Sequence, residues 1–251
     1  MPDVIVFAGP SACGIGRSRV SGLRWLPPVR RGDIDHLLER SRREGVIVIC
    51  DGIFGSEPAV SHSELCRAMD AGWSIWGVSS IGAIRAHELR FDGMRGFGYV
   101  YNQFERFPDF TDDEMCLIYV PDPPYFQVTE ALVNLRYALE RRKHIVGISD
   151  EAQLRVLVEL RAMWFGDRTE DRIRQVMVQQ GGIDAVTADA LLAWTRAHRV
   201  KSIDLAKLLA ERPWAASRHP VSASSMTAAV DMPAPVFSSS CSRGSGRPSR
   251  N

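Results

Sequence analysis

Apolar positions along this chain fall into two rhythms. In the first half they come as short unbroken runs: residues 4–8 read VIVFA, 46–50 VIVIC and 73–78 WSIWGV. Short runs rich in β-branched residues predict strands buried on both faces. Between these runs, apolar residues recur at three- and four-residue spacing. Ile34, Leu37 and Leu38 form a stripe behind Asp33, the expected cap of a helix that ends by Gly45. Ser61 and Glu64 form a capping box for a helix that ends at Gly72. After Ser79-Ser80-Ile81-Gly82-Ala83, residues 84–89 read as helix. Strand alternating with helix predicts parallel strands joined by crossovers. In such sheets ligands bind outside the carboxyl ends of the strands. Here those ends carry Asp51 and the pair Ser79-Ser80.

Elsewhere the pattern is less regular. Trp25-Leu26-Pro27-Pro28 is a rigid extended segment, because the residue before proline avoids the α region. Gly93, Gly96 and Gly98 punctuate a loop, and 99–107 fits either loop or helix. Residues 115–120 predict a further strand, broken by Pro121, Pro123 and Pro124. Thr129 is the expected cap of a helix to about 142, with Leu132, Val133, Leu135 and Leu139 inward. From Ser149 onward helical spacing takes over, with stripes at Leu154/Leu157/Val158/Leu160, Ile173/Val176/Met177, Leu191/Leu192/Trp194 and Ile203/Leu205/Leu208/Leu209. The fold class expected is α/β, a Rossmann-like or flavodoxin-like parallel sheet over residues 1–145. A helical region over 146–212 follows, either a small bundle or a partner-binding appendage. Residues 217–251 hold ten serines and four prolines, and 213–251 is expected to be a disordered tail.

Composition narrows the function classes. A net charge of +1 gives no global field for nucleic acid or membrane. Charge is uneven, however. Residues 17–43 hold eight arginines against three acids, and 105–130 hold seven acids against Arg106 alone. These are either solvated faces or a basic patch for an acidic partner and an acidic edge near the site. Cys13, Cys50, Cys66, Cys116 and Cys241 are scattered and form no CxxC. That argues for reduced thiols in the cytoplasm and against zinc or a disulfide framework. No run of about 18 apolar residues predicts a membrane span, and no signal peptide is expected. After the first strand, Gly9-Pro10-Ser11-Ala12-Cys13-Gly14-Ile15-Gly16 lacks the Lys-Ser/Thr of a phosphate loop and the dinucleotide glycine pattern. No cofactor or metal is expected.

The candidate chemistry lies at the strand ends. Gly77-x-Ser79 partly matches the strand-to-helix elbow that exposes a nucleophilic serine, with Gly82 two residues after Ser80. Ser80 sits nearer the helix start and its free N–H groups. The alternative for either serine is a plain N-cap, since Ser is the preferred cap residue. Asp51 is a base, an orienting acid or a turn former. His62 is a proton acceptor or a structural histidine. Arg85 and Glu88 either pair with each other or leave Arg85 for a carboxylate. Ser11 adds a hydroxyl beside Asp51. Persulfide chemistry at Cys13 or Cys50 is a weaker alternative, since buried cysteine commonly behaves as a small hydrophobe.

These residues also form an ordered set of motifs. Gly9-Pro10-Ser11, Asp51-Gly52-x-Phe54, Val60-x-His62-x-Glu64, Ser79-Ser80-x-Gly82-Ala83-x-Arg85-Ala86-x-Glu88-Leu89, Gly93-Met94-x-Gly96-x-Gly98, Asp112-Asp113-Glu114 and Asn134-x-Arg136 follow one another over residues 4–140. As a set they resemble the TfuA-like family. The resemblance implies an accessory protein for a YcaO-type enzyme that makes thioamides in peptides or proteins. It implies sulfide release from a thiocarboxylated ubiquitin-like sulfur carrier, recruitment of the YcaO partner, or both. The catalytic positions implied are Ser80, Ser79, Asp51 and His62. The substrate-binding positions are Ser11, Arg85, Glu88, Asp112, Asp113 and Arg136.

Overall fold

The structure, a computed structural model, describes residues 3–16, 21–41, 43–53 and 57–215. Most of the expected 213–251 tail, together with Phe54, Arg17, Arg19 and Arg42, lies outside the described residues.

Five parallel strands make one sheet: β1 (Asp3–Phe7), β2 (Leu23–Leu26), β3 (Gly45–Ile49), β4 (Ser74–Val78) and β5 (Arg95–Phe97). Their order is β2-β1-β3-β4-β5, the flavodoxin-like arrangement of an α/β fold. The order reverses between β1 and β3, so the crevice expected to hold function opens between their carboxyl ends. The three unbroken apolar runs are the three central strands. They alternate strictly. Ile5, Phe7, Ile47, Ile49 and Ile75 point to one face, against α1 (Asp33–Arg40), α2 (His62–Asp70) and α3 (Ile81–Glu88). Val4, Val6, Val46, Val48, Cys50, Trp76 and Val78 point to the other, against Leu205, Leu208 and Leu209 of α9 (Val200–Glu211) and against Trp214. The helix latest in the described chain thus covers the face that the early helices leave bare.

Between these layers the chain forms α4 (Gly98–Arg106), α5 (Leu132–Val146), α6 (Asp150–Ala162), α7 (Glu170–Gly181) and α8 (Ala185–Ala197). Helices α5 to α8 share a core of their own, built from Leu135, Leu139, Val156, Leu160, Met177 and Leu191 among others. Ser149, Thr169 and Asp184 cap α6, α7 and α8 with side-chain oxygens.

Several local expectations change. Ser61 and Glu64 do form the capping box, and Glu64 also accepts the Gly32 N–H. Asp33 is not a cap. Gly32 takes that position at φ 92°, and Asp33 turns back to accept the Arg30 N–H at 2.7 Å. The run 46–50 is the third strand rather than the second, because Leu23–Leu26 already forms an edge strand. The glycine-rich 93–98 stretch contains β5, and 99–106 is helical, with Phe107 already extended. Residues 115–120 do not join the sheet. They form one arm of a two-stranded ribbon bridged at Tyr119 and Gln127. Thr129 closes that ribbon by accepting the Ile118 N–H at 2.8 Å, so α5 begins at Leu132 instead. In α6, Leu154 and Val158 face outward, 61% and 58% exposed.

Candidate functional site

The crevice between β1 and β3 is closed by one carboxylate. Asp51 follows β3, and its Oδ2 accepts the N–H groups of Gly9 and Ser11 at 2.8 and 2.9 Å. Its Oδ1 accepts the Ser11 hydroxyl at 2.7 Å. Gly9-Pro10-Ser11 therefore folds as a 3-10 turn over Pro10–Ala12 whose polar groups converge on Asp51. Both side chains are buried.

Next in the sheet, β4 passes into α3 through a strained turn. Ser79 adopts a left-handed conformation at φ 67°, and the Ser80 N–H closes a three-residue turn on the Val78 carbonyl at 2.8 Å. Such γ-turns with positive φ are rare and strained. The flanking glycines make the turn possible. A Cβ on Gly77 would lie 1.9 Å from the Gly82 carbonyl oxygen, and one on Gly82 would lie 1.7 Å from that of Ile49. Helix α3 is thus pressed against β3 and β4 as closely as backbone allows.

The two serines differ. Ser79 donates its hydroxyl to the Lys201 carbonyl at 2.6 Å and is fully buried beneath α9. Ser80 is buried as well but is the N-cap residue of α3, and its side chain makes no capping bond. The helix-end donors expected to be free are largely used. Gly82 N–H goes to the Cys50 carbonyl, while Ala83 and Ile84 N–H go to the Ser80 carbonyl.

Cys50 lies between these groups. Burial pushes its thiol pKa well up and the Asp51 charge adds to this; the neighbouring Ser79 and Ser11 hydroxyls and the nearby Lys201 ammonium oppose the rise. A thiol held protonated is a poor nucleophile. Lys201 is buried as well and donates Nζ to the Met115 carbonyl at 2.9 Å. The ribbon reaches the same strand ends through its inner side: Gln127 donates to the Pro10 carbonyl at 3.2 Å. Burial raises the Tyr119 hydroxyl pKa, and the Asp51 charge raises it further.

A second group of expected site residues stands on the outer side of α3. His62, the first residue of α2, meets Glu88 at 2.8 Å, and Glu88 also takes Arg85 at 2.5 Å. Arg85 donates Nε to the Val60 carbonyl at 2.9 Å. Arg85, Glu88 and Asp112 line one groove of about 440 Å³, whose apolar wall includes Ile81, Phe104 and Phe110. Ile81 links this groove to the serine turn. His62 is not hydrogen-bonded to either serine; its ring partner is Glu88.

Asp113 and Arg136 belong to neither group. Asp113 pairs with the buried Arg168. Arg136 pairs with Glu114 at 2.5 Å, where Glu114 is 0% exposed. Two further pairs have the same form, Arg161 with Asp109 and Arg199 with Glu130, both within 2.8 Å. Four of the seven acids between 105 and 130 are thus held by arginines from farther along the chain. Cys50 and Lys201 are the site neighbours that sequence reasoning did not select. Cys50 looked like a core residue, and it is one. Lys201 sits 122 residues after Ser79 and carries no motif.

Among the described residues, no three His, Cys, Asp or Glu side chains are grouped to hold a metal ion, and no helix is long and apolar enough to cross a membrane. No curated protein matches the chain. Residues 51–169 match the family model described as TfuA-like protein. That span starts at Asp51 and takes in the β4–α3 turn, the groove on α3 and the arginine-tied ribbon, and over it the chain is similar to TfuA-like proteins.

Proposed function

We propose that this protein supplies sulfide to a YcaO-type enzyme, which uses it to convert a peptide amide into a thioamide. The sulfide comes from a thiocarboxylated ubiquitin-like carrier. Water adds to the thiocarboxylate carbon, a C–O bond forms and the C–S bond breaks. The products are carboxylate, hydrosulfide and one proton.

The observation that carries this reading is the strained Ser79-Ser80 turn beside the groove on α3. It leaves the Ser80 hydroxyl without a capping bond, one residue before Ile81 in the groove wall. In this reading the carrier's extended tail lies along the groove. Arg85 faces the anionic thiocarboxylate, a charge-assisted contact. Ser80 meets the reacting carbon or its water, while Ser79 and the Asp51–Ser11 lock hold the turn and loop in place. His62 with Glu88 takes up the released proton at the groove's outer end.

The test mixes purified protein with a thiocarboxylated carrier and follows sulfide. Ser80→Ala is expected to lower release by about 100-fold or more with the melting temperature nearly unchanged. Release no faster than in buffer with the unaltered protein would remove the hydrolytic reading.

A second reading, an adaptor that docks the YcaO enzyme and its substrate, has its own support. The outer side of the ribbon exposes Ile118, Val120, Phe126 and Val128 together, an apolar surface of the kind that marks interaction sites. The adaptor reading expects thioamidation to need this protein even when sulfide is added from outside.

A further inference from the structure

A second groove of about 350 Å³ runs between edge strand β2 and helix α1, on elements outside the serine turn and the groove on α3. Its floor is apolar, with Leu26 of β2 and the buried Leu37 of α1. Its rim is basic, with Arg24, Arg30, His36 and Arg40. Arg24, Arg30 and Arg40 are exposed. Arg30 reaches Glu57 at 3.2 Å, but Arg24 and Arg40 have no acidic partner among the described residues. The one acid in the groove, Asp33, is already committed to the Arg30 N–H.

We propose that this groove binds an extended acidic peptide segment, with carboxylate side chains on Arg24, Arg30 and Arg40 and apolar side chains between them on Leu26 and Leu37. Three features favour a peptide over a phosphate or a nucleic acid. The arginines come from a strand, a loop and a helix end along the groove, so they do not converge on one centre as a phosphate cradle would. The floor between them is apolar, which suits alternating side chains. The groove also follows an edge strand, the element to which extended peptides add. Charge complementarity then selects acidic sequences over neutral ones and quickens their encounter. The proposal does not rest on sulfide release, and its test needs no carrier.

The experiment measures anisotropy of a fluorescein-labelled peptide of alternating glutamate and leucine on the full chain. Its glutamine analogue, tripolyphosphate and an oligouridylate are compared as ligands. The glutamate peptide should bind at least about tenfold more tightly than the glutamine analogue. Arg24→Glu with Arg40→Glu should weaken it by a similar factor at unchanged melting temperature. The same reversal at the exposed Arg172 of α7 should leave binding as it was, which separates the groove from overall charge. Equal affinity for the glutamine peptide, unaltered binding by the double variant, or tighter binding of tripolyphosphate or oligouridylate than of the peptide would each overturn the proposal.

Discussion

Asp51 is where structure and chemistry can be separated by a single atom. Its three hydrogen bonds divide unevenly, two backbone N–H groups on Oδ2 and the Ser11 hydroxyl on Oδ1. Asn fits that division. Its oxygen can keep both N–H groups, and its amide can donate to the Ser11 oxygen, which accepts as well as it donates. Asp51→Asn should therefore lose only the charge-assisted share of the bonds, about 1–2 kcal/mol. Asp51→Ala leaves two buried N–H groups without acceptors. At about 2 kcal/mol each the loss is about 4 kcal/mol, which for a chain of this size lowers the melting temperature by roughly 10 °C. Urea unfolding of the three proteins measures this ordering. Sulfide release on the same samples asks the chemical question. Asp51 holds the loop, so the Asn variant should keep release within about threefold of the unaltered protein. An Asn variant that folds normally but releases sulfide about 100-fold more slowly would show that the negative charge does chemistry, and would refute the reasoning. An Ala variant as stable as the parent would refute the account of the loop.

Other expectations follow from the same geometry. Gly82→Ala places a methyl 1.7 Å from the Ile49 carbonyl oxygen, so circular dichroism should find it largely unfolded or destabilised by about 3 kcal/mol or more. Arg136→Ala strands the buried Glu114 carboxylate and should cost about 3–5 kcal/mol, and the Arg136→Met, Glu114→Leu double variant should recover much of it by urea unfolding. Burial pushes the Asp204 pKa up to about 6, against the opposing N–H bonds of Val100 and Tyr99. Its contribution to stability is therefore fully present below about pH 4 and is lost as pH rises through 6, a change of about 3 kcal/mol. The stability of Asp204→Asn relative to the unaltered protein should accordingly rise between pH 4 and 7. Exposed Cys13 should react readily with a thiol reagent while Cys50 stays protected until unfolding; Cys50 labelled at the rate of Cys13 would reopen persulfide chemistry there.

How far the chain could be read depended on how local each signal was. Central strands were legible because both faces are buried, which forces apolar residues at every position. The capping box at Ser61 was legible because its partners lie three residues apart. Edge strands β2 and β5 carry exposed Arg24 and Arg95 and lack that signature. The run 115–120 has strand composition, but its partner is the nearby arm around Gln127 and not the sheet. The acidic stretch 105–130 looked like one electrostatic surface. Its charges are instead divided among arginines as far away as Arg199, and nothing in a sequence pattern joins residues 69 apart. The serine turn was found from its glycines. That Ser79 faces Lys201 beneath α9, and Ser80 does not, follows only from the packing of a helix far along the chain.

The position of α9 also bears on how the protein is made. β1 leaves the ribosome about 200 residues before α9, and its Val4 and Val6 pack on Leu205 and Leu208 of that helix. At about 5–20 residues per second, one side of the sheet stays uncovered for at least roughly ten seconds. During that time Val46, Val48 and Trp76 join the same bare apolar face. Synthesis is then a period of aggregation risk that ends only with α9, and a nascent-chain binding factor has its natural target on that side of the sheet. Slowing translation between 100 and 200 should lower the soluble yield, and supplying a peptide with the α9 sequence in trans should restore part of it.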